Sequence, residues 1–429
     1  MPDFQDAPPS LFRSFRHRNF RLFFSGQLVS LLGTWMQSVA QAWLVYRLTH
    51  SAVLLGVTGF VGQIPGFFVA PIGGIVADRH RRHRIVVVTQ SCAMALALVL
   101  AALTLTHAVE VWHILVLAAL LGMVNAFDIP ARQSFIAEMV GPRDMANAIA
   151  LNSSMVTGSR IIGPAIGGIL VSLVGEGWCF LLNGVSYIAV IAGLLAMQLP
   201  PHERIAQTAS RLEHMREGFR FASETLPIRH LLILLGIVSL AGMPYAVLMP
   251  IFAQEVLHGN SRTMGILMSM AGAGALLGAI ALALRRGLRG LGQWIALSAA
   301  VFGAFLIAFS FSRVVWLSAI LLIPVGFAMQ LQMSGTNTLL QAMVPDRLRG
   351  RLMSVFVMMF LGMAPFGSLL AGALAKIVGA PVTVALGGVA CLVGAVVFWR
   401  KLPGLQLQAR AVLAERERET REREEAGKS

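Results

Sequence analysis

The stretch LLGVTGFVGQIPGFFVAPIGGIVADRHRRHR, residues 54–84, decides how this chain is read. From 54 to 77 it carries no charge, and those 24 residues make a helix of about 36 Å, enough to cross the ~30 Å hydrocarbon core of a bilayer. The character then changes abruptly: Asp78 is followed by Arg79, Arg81, Arg82 and Arg84. An apolar run that ends in a basic loop is a membrane span with one end anchored in water. The same pattern recurs on both sides. Runs at 22–46, 85–106, 112–135, 148–174 and 178–199 complete a first set of six; runs at 231–253, 264–284, 294–311, 316–340, 352–378 and 382–399 make a second. Runs this long exceed a barrel strand and do not alternate with period two, so each is expected to be a helix. The first run is too long for a signal-peptide core and is read as a retained span. Composition agrees, with 56% hydrophobic residues, 13% charged and a mean hydropathy of +0.74 pointing to a chain whose solvent is mostly lipid.

A net charge of +14 raises the possibility of a nucleic-acid binder, and the placement of the charge argues against it. With the N-terminus in the cytoplasm, the outer loops hold only Arg47, Arg262, Arg313 and Lys376, and Arg132 and Arg160 fall within spans. The other 28 Lys and Arg residues lie inside, which is the positive-inside bias and predicts both termini in the cytoplasm. The expected organisation is a first six-helix bundle over 1–199, a cytoplasmic linker over 200–230, a second bundle over 231–400 and a charged tail over 401–429. At a constant offset of 204 residues, Gly122 pairs with Gly326, Val140 with Val344, Arg143 with Arg347, Gly158 with Gly362, Gly168 with Gly372 and Gly175 with Gly379. Six is even, so both halves enter from the same side and the repeat is parallel.

The loop that closes the opening stretch reads Gly74-Ile-Val-Ala-Asp78-Arg79-His-Arg81-Arg82-His-Arg84. A small residue near a helix end allows close packing, and an acid there can meet a cation or the positive end of a neighbouring helix. This segment resembles the Gly-x-x-x-Asp-Arg loop signature of the major facilitator superfamily, with Arg81 where many members carry Gly. That departure, with Gly33-Thr-Trp35-Met-Gln37, Trp43-Leu-Val-Tyr46, Pro130-Ala-Arg132-Gln133, Asn147-Ala-Ile-Ala-Leu-Asn152 and Phe180-Leu-Leu-Asn183, is similar to the branch of enterobactin exporters and macrolide-efflux-like proteins. The resemblance implies an all-helical transporter of twelve spans in two six-helix bundles, with Gly74, Asp78, Arg79 and Arg82 at a conformational gate. In the fifth span Gly158, Gly163, Pro164, Gly167 and Gly168 resemble the Gly-Pro-x-x-Gly-Gly element of proton-coupled exporters. Small residues at this spacing allow close helix approach, with a bend where Pro164 removes a hydrogen bond.

Charges inside spans are costly, and Asp128, Arg132 and Arg160 are therefore candidates for function. Asp128 and Arg132 are four apart and share a helical face, which serves either a structural ion pair or a titrating site; Pro130 between them is expected to disturb the helix. Several relatives carry an acid in the first span where this chain has Thr34. Glu110, Glu176 and Glu255 lie near span ends and are read as solvated charges. The resemblance places spans one, four, seven and ten around the substrate cavity, so Gln37, Gln41, Asn125, Tyr245, Gln330, Asn337 and Gln341 are candidates to line it. Their alternative use is hydrogen bonding between helices. A cavity of Met, Phe and Trp with a few amides suits bulky amphipathic molecules better than sugars or ions.

No metalloprotease, serine-hydrolase, phosphate-loop or paired-cysteine motif is present, and Cys92, Cys179 and Cys391 are widely separated. His80 and His83 have no acid or cysteine at ligand spacing. Leu212, Met215, Phe219 and Phe221 among Arg211, Arg216, Glu217 and Arg220 predict an interfacial helix in the linker. The alternating Glu and Arg of 414–426 predict a solvated helix-compatible end. The expectation is a monomeric exporter in the cell inner membrane. It is expected to need no cofactor or metal and to exchange protons for a drug- or siderophore-like molecule by alternating access. An importer or uniporter of the same fold, or a receptor that moves nothing, is the alternative.

Overall fold

The structure, a computed structural model, describes residues 12–198, 211–285 and 287–426, without the side chains at 70, 71, 75, 78, 142, 211–216, 346, 347 and 406–426. The carboxylate of Asp78 and the side chains of Arg211, Leu212, Met215 and Arg216 therefore lie outside the described groups, as do residue 199 and residues 200–210 of the linker.

Among the described residues, twelve helices are long and apolar enough to cross a membrane. Spans 1 to 6 are Arg18–Thr49, Ala52–Val69, Arg82–Leu105, Val111–Gly141, Arg143–Val174 and Glu176–Leu195. Spans 7 to 12 are Leu226–Val256, Ser261–Leu284, Leu291–Phe311, Val315–Met343, Leu348–Val378 and Ala380–Leu405. Helices satisfy every backbone group internally, which is the condition for crossing lipid. Three features depart from a simple row of rods. The helix of span 2 continues to Arg79 and span 3 begins at Arg82, so most of the expected loop from Gly74 is helix and the turn itself is short. Spans 4 and 5 form one helical run over Val111–Val174, bent at Gly141, whose φ of 70° favours glycine. Span 7 is broken into π and 3-10 segments around Pro244 and Pro250, because neither proline can donate to the helical ladder.

Contacts divide the chain into two compact units. The first joins spans 1 and 3–6 and the part of span 2 after Phe60 to Asn260–Ser269 at the start of span 8. Its buried core brings Phe20 and Phe23 of span 1 against Val86, Phe135, Tyr187 and Leu194 of spans 3, 4 and 6. The second joins spans 7 and 9–12 and the rest of span 8 to Ser51–Phe60 at the start of span 2. There span 9 packs on spans 10 and 12, and span 7 on span 12. The linker helix Arg211–Glu224 lies in this second unit, where Glu217 pairs with Arg351. Phe219 is exposed beside it. The helix of span 12 runs on through Pro403 to Ala426, so the charged tail continues it rather than leaving it.

The offset read from the sequence is a repeat of packing. In the first unit a Cβ on Gly168 would come within 2.9 Å of the Gly265 Cα. In the second, a Cβ on Gly372, 204 residues later, would come within 2.9 Å of the Gly56 Cα. Lipid gives no hydrophobic drive for helices to associate, so contact depends on backbones that approach this closely.

Candidate functional site

The first unit holds a buried carboxylate that accepts three hydrogen bonds. Asp128, on span 4, is 4% exposed. Its Oδ1 accepts hydrogen bonds from Thr89 Oγ1 at 2.8 Å and Gln90 Nε2 at 2.9 Å, and its Oδ2 accepts one from Arg132 Nε at 3.1 Å. Pro130 does not prevent the pair, since Gly141 is the residue with non-helical dihedrals in that run and the i, i+4 register survives. Thr89 Oγ1 also lies 3.0 Å from the carbonyl of Val86, so its single proton has two possible acceptors. Tyr187 is 6% exposed and interacts with Thr34 and Asn183, within electrostatic reach of Asp128 and Arg132. Thr89, Gln90 and Tyr187 were not singled out in the sequence, although two adjacent polar residues in the middle of an apolar span are a readable signal.

Beside this cluster, Asn183 Nδ2 donates to Gln37 Oε1 at 2.6 Å, joining spans 6 and 1. Gln37 is 7% exposed, and Gln41, one turn on, is half-buried. Asn125 is exposed on span 4. The glycines of span 5 serve two faces. Gly163 and Gly167 lie against Trp35 and Met36 of span 1, with a Cβ on Gly163 falling 2.5 Å from the Trp35 Cβ. Pro164 and Gly168 lie against Gly265, and Ser261 Oγ donates to the Gly168 carbonyl at 3.0 Å. Gly158 stands apart, since a Cβ there would meet nothing within 4 Å. The guanidinium of Arg160 stacks 5.4 Å from the Trp35 ring, a partner that spacing in the sequence does not reveal.

At the basic end of the unit, Gly74 is half-buried, Arg79 is exposed, and Arg82 Nη1 pairs with Glu138 Oε1 at 2.8 Å. Close by, the short 3-10 segment before span 1 is clamped to span 5. His17 Nε2 lies 2.7 Å from Asp144 Oδ2, and Ser14 Oγ donates to Asn147 Oδ1 at 2.7 Å. Glu176, read as a solvated end charge, is instead 6% exposed and bidentate with Arg47 at 2.8 and 3.1 Å, because the turn at Gly175 directs it back onto span 1.

In the second unit Tyr245 sits in the 3-10 segment of span 7, 7% exposed and edge-on to Phe302 at 6.4 Å. On span 10, Gln330 Nε2 donates to Ser334 Oγ and Gln341 Nε2 to Asn337 Oδ1, each at 2.9 Å. At the offset of 204, Gln332 corresponds to Asp128 and Thr336 to Arg132. Gln332 is 1% exposed and Thr336 0%, and neither side chain has a hydrogen-bond partner among the described residues. The repeat thus carries an ion pair in one half and a neutral amide and hydroxyl in the other. Among the described residues, no group of His, Cys, Asp or Glu is arranged to hold a metal ion.

A family model described as transmembrane secretion effector matches residues 9–422. The chain belongs to that family. It is a membrane transporter of the major facilitator type and not an enzyme. It is 27% identical over 383 residues to a staphyloferrin A transporter of Staphylococcus aureus, covering 88% of this chain and 95% of the relative. It is 24% identical over 346 residues to an enterobactin exporter of Citrobacter koseri, covering 78% and 80%. The fold is similar to the crystal structure of a bacterial homolog of the human lysosomal transporter Spinster, with a TM-score of 0.68 at 16% identity over 95% of this chain and 99% of that one.

Proposed function

We propose that this chain exports a bulky amphipathic molecule, drug- or siderophore-like, in exchange for protons, with Asp128 as the coupling carboxylate. The observation that carries this reading is the Asp128 cluster set against its neutral counterpart at Gln332 and Thr336. A purely structural polar pair would serve equally in both halves, whereas a proton carrier is needed in one. With Asp128 ionised, Thr89 and Gln90 donate to it and Arg132 balances its charge. With Asp128 protonated, Thr89 turns its proton to the Val86 carbonyl and accepts from the carboxylic acid, so the Thr89 hydroxyl stays bonded to the carboxyl group in either state. Neutralising Asp128 frees Arg132, which is the charge change an alternating-access cycle needs.

Export is supported by the relative named as an enterobactin exporter and by the Gly163–Gly168 element; the substrate class is supported by the names of both relatives and by the amides Gln37, Gln41, Asn125, Gln330, Asn337 and Gln341 with Tyr245. Gly74, Asp78, Arg79 and Arg82 act as the gate, and Arg160 holds span 5 against span 1 through Trp35. The charge distribution supports cytoplasmic termini and the cell inner membrane and no part for nucleic acid, and the working unit we propose is the monomer.

The test is proton movement in energised inverted vesicles, followed with a pH-sensitive dye while siderophores, macrolides and lipophilic cations are added. Substrate-dependent proton release that disappears in Asp128→Asn, with substrate binding kept, is the expected result. Uptake in the opposite direction would replace the exporter with an importer. Binding without any flux would leave a receptor. Full proton coupling in Asp128→Asn would remove this residue from the mechanism.

A further inference from the structure

On the flank of the first unit, spans 2, 3 and 4 bound a groove of about 900 Å³ at the end that bears the basic turn. Its lining divides sharply. Arg79, His80, Arg81 and Arg84 stand at one end, and the rest is an apolar strip interrupted only by Thr89. On span 3 the strip follows Arg84, Val88, Cys92 and Leu96, a row at i, i+4 spacing that rises about 18 Å, slightly more than one leaflet of a ~30 Å hydrocarbon core. Span 4 supplies the facing wall from Phe127 to Leu120. Val88 is 59% exposed and Leu120 43%, so the strip is open to lipid rather than sealed.

We propose that this groove binds one anionic phospholipid, with its phosphate held by Arg79, Arg81 and Arg84 and one acyl chain laid along spans 3 and 4. Charge complementarity selects the headgroup. Among the described residues none of these three arginines has a carboxylate partner, whereas Arg82 beside them is taken by Glu138 at 2.8 Å. The one acid in the same turn is Asp78, and three cations against one acid leave the groove mouth positive. The strip selects a hydrocarbon chain over a polar solute. Thr89 lines it, but its hydroxyl is already engaged with Asp128 and Val86. A basic mouth on an apolar trough one leaflet long fits a charged headgroup and its chain, and each arginine near the surface strengthens the hold on an anionic lipid about fivefold. The proposal is independent of what the transporter moves.

Of the three cysteines, Cys92 is exposed while Cys179 and Cys391 are buried, so a bimane on Cys92 reports from inside the groove. The full chain is placed in nanodiscs carrying phosphatidylglycerol or phosphatidylcholine with a nitroxide on the acyl chain. Quenching is expected at several-fold lower mole fraction of the phosphatidylglycerol, with the preference falling roughly fivefold per arginine removed in R81Q/R84Q and returning in R81K/R84K. Native mass spectrometry of the unlabelled protein should show phosphatidylglycerol retained by the wild type and lost from R81Q/R84Q. Equal quenching by the two lipids, or a preference and retention unchanged in R81Q/R84Q, would overturn the proposal and leave ordinary boundary lipid.

Discussion

Removing Arg132 and removing Asp128 should not cost the same. Asp128 is 4% exposed and the Arg132 side chain 19%, so the acid is the member sealed from water. In Arg132→Met the carboxylate stays buried with two neutral donors, Thr89 and Gln90, and no cation. An uncompensated buried charge costs about 3–5 kcal/mol, and an acid at the centre of a membrane helix about 2.5–3.5 kcal/mol by insertion scales, so a loss of about 3 kcal/mol is expected. In Asp128→Asn the amide oxygen still accepts from Thr89 and Gln90, and the longer, less buried arginine can turn toward water. The loss is then one charge-assisted hydrogen bond, about 1–2 kcal/mol. The double variant leaves no bare charge and should return to the level of Asp128→Asn, a coupling of about 3 kcal/mol, at the top of the range for contacting pairs. SDS titration of the purified proteins in mixed micelles measures all three. The reasoning fails if Arg132→Met is as stable as the parent, or if adding Asp128→Asn to it restores nothing.

The span 5 glycines should separate by position: Gly163→Val should abolish folding or transport, because its new side chain would run into the Trp35 Cβ and the Leu32 carbonyl, while Gly158→Ala should be tolerated; expression and transport assays of the pair check this. Replacing Asn183 by Leu should cost about 0.6–1.7 kcal/mol, the range for hydrogen bonds between membrane helices, read as a lower SDS midpoint. If Gln37 also contacts substrate, Gln37→Ala should lower affinity more than Asn183→Leu does, and equal binding isotherms would confine Gln37 to packing. Deleting residues 414–426 should leave flux unchanged in vesicles with normal insertion, and loss of flux would assign the tail a part in transport.

Most of the fold was legible because lipid imposes one pattern on every span. The run from 54 to 77 has the length and lack of charge that a crossing helix needs, and eleven others repeat it. What could not be read was the choice of partner. Arg160 gives no sign in the sequence that it stacks on Trp35, since 125 positions separate them and aromatic faces leave no spacing signature. Glu176 was misread because a charge at a span end is solvated unless a turn directs it back, and Gly175, with φ of 91°, does so. Gln37 illustrates a further difficulty, because an amide on a helical face serves a cavity or a neighbouring helix with the same chemistry. The motif at 74–84 looked like a loop because its arginines dominate the composition, yet helix persists through Arg79.

The repeat also bears on mechanism. Two halves that descend through the same packing, down to matching approaches at Gly168 and Gly372, differ where span 4 carries Asp128 and Arg132 and span 10 carries Gln332 and Thr336. Packing alone gives no reason for that difference, because a buried ion pair is no more stabilising than a well-packed neutral substitute and is costly to assemble in lipid. A charge kept in one half and absent from its mate is therefore best explained by a task that only a titratable group performs. Gln332→Asp with Thr336→Arg rebuilds the pair in the second half without enlarging the repeat. If the first-half pair is structural, that variant should substitute for it and support flux when Asp128 and Arg132 are made Asn and Met. If Asp128 carries the proton together with Thr89 and Gln90, the transplanted pair should fold and leave transport uncoupled.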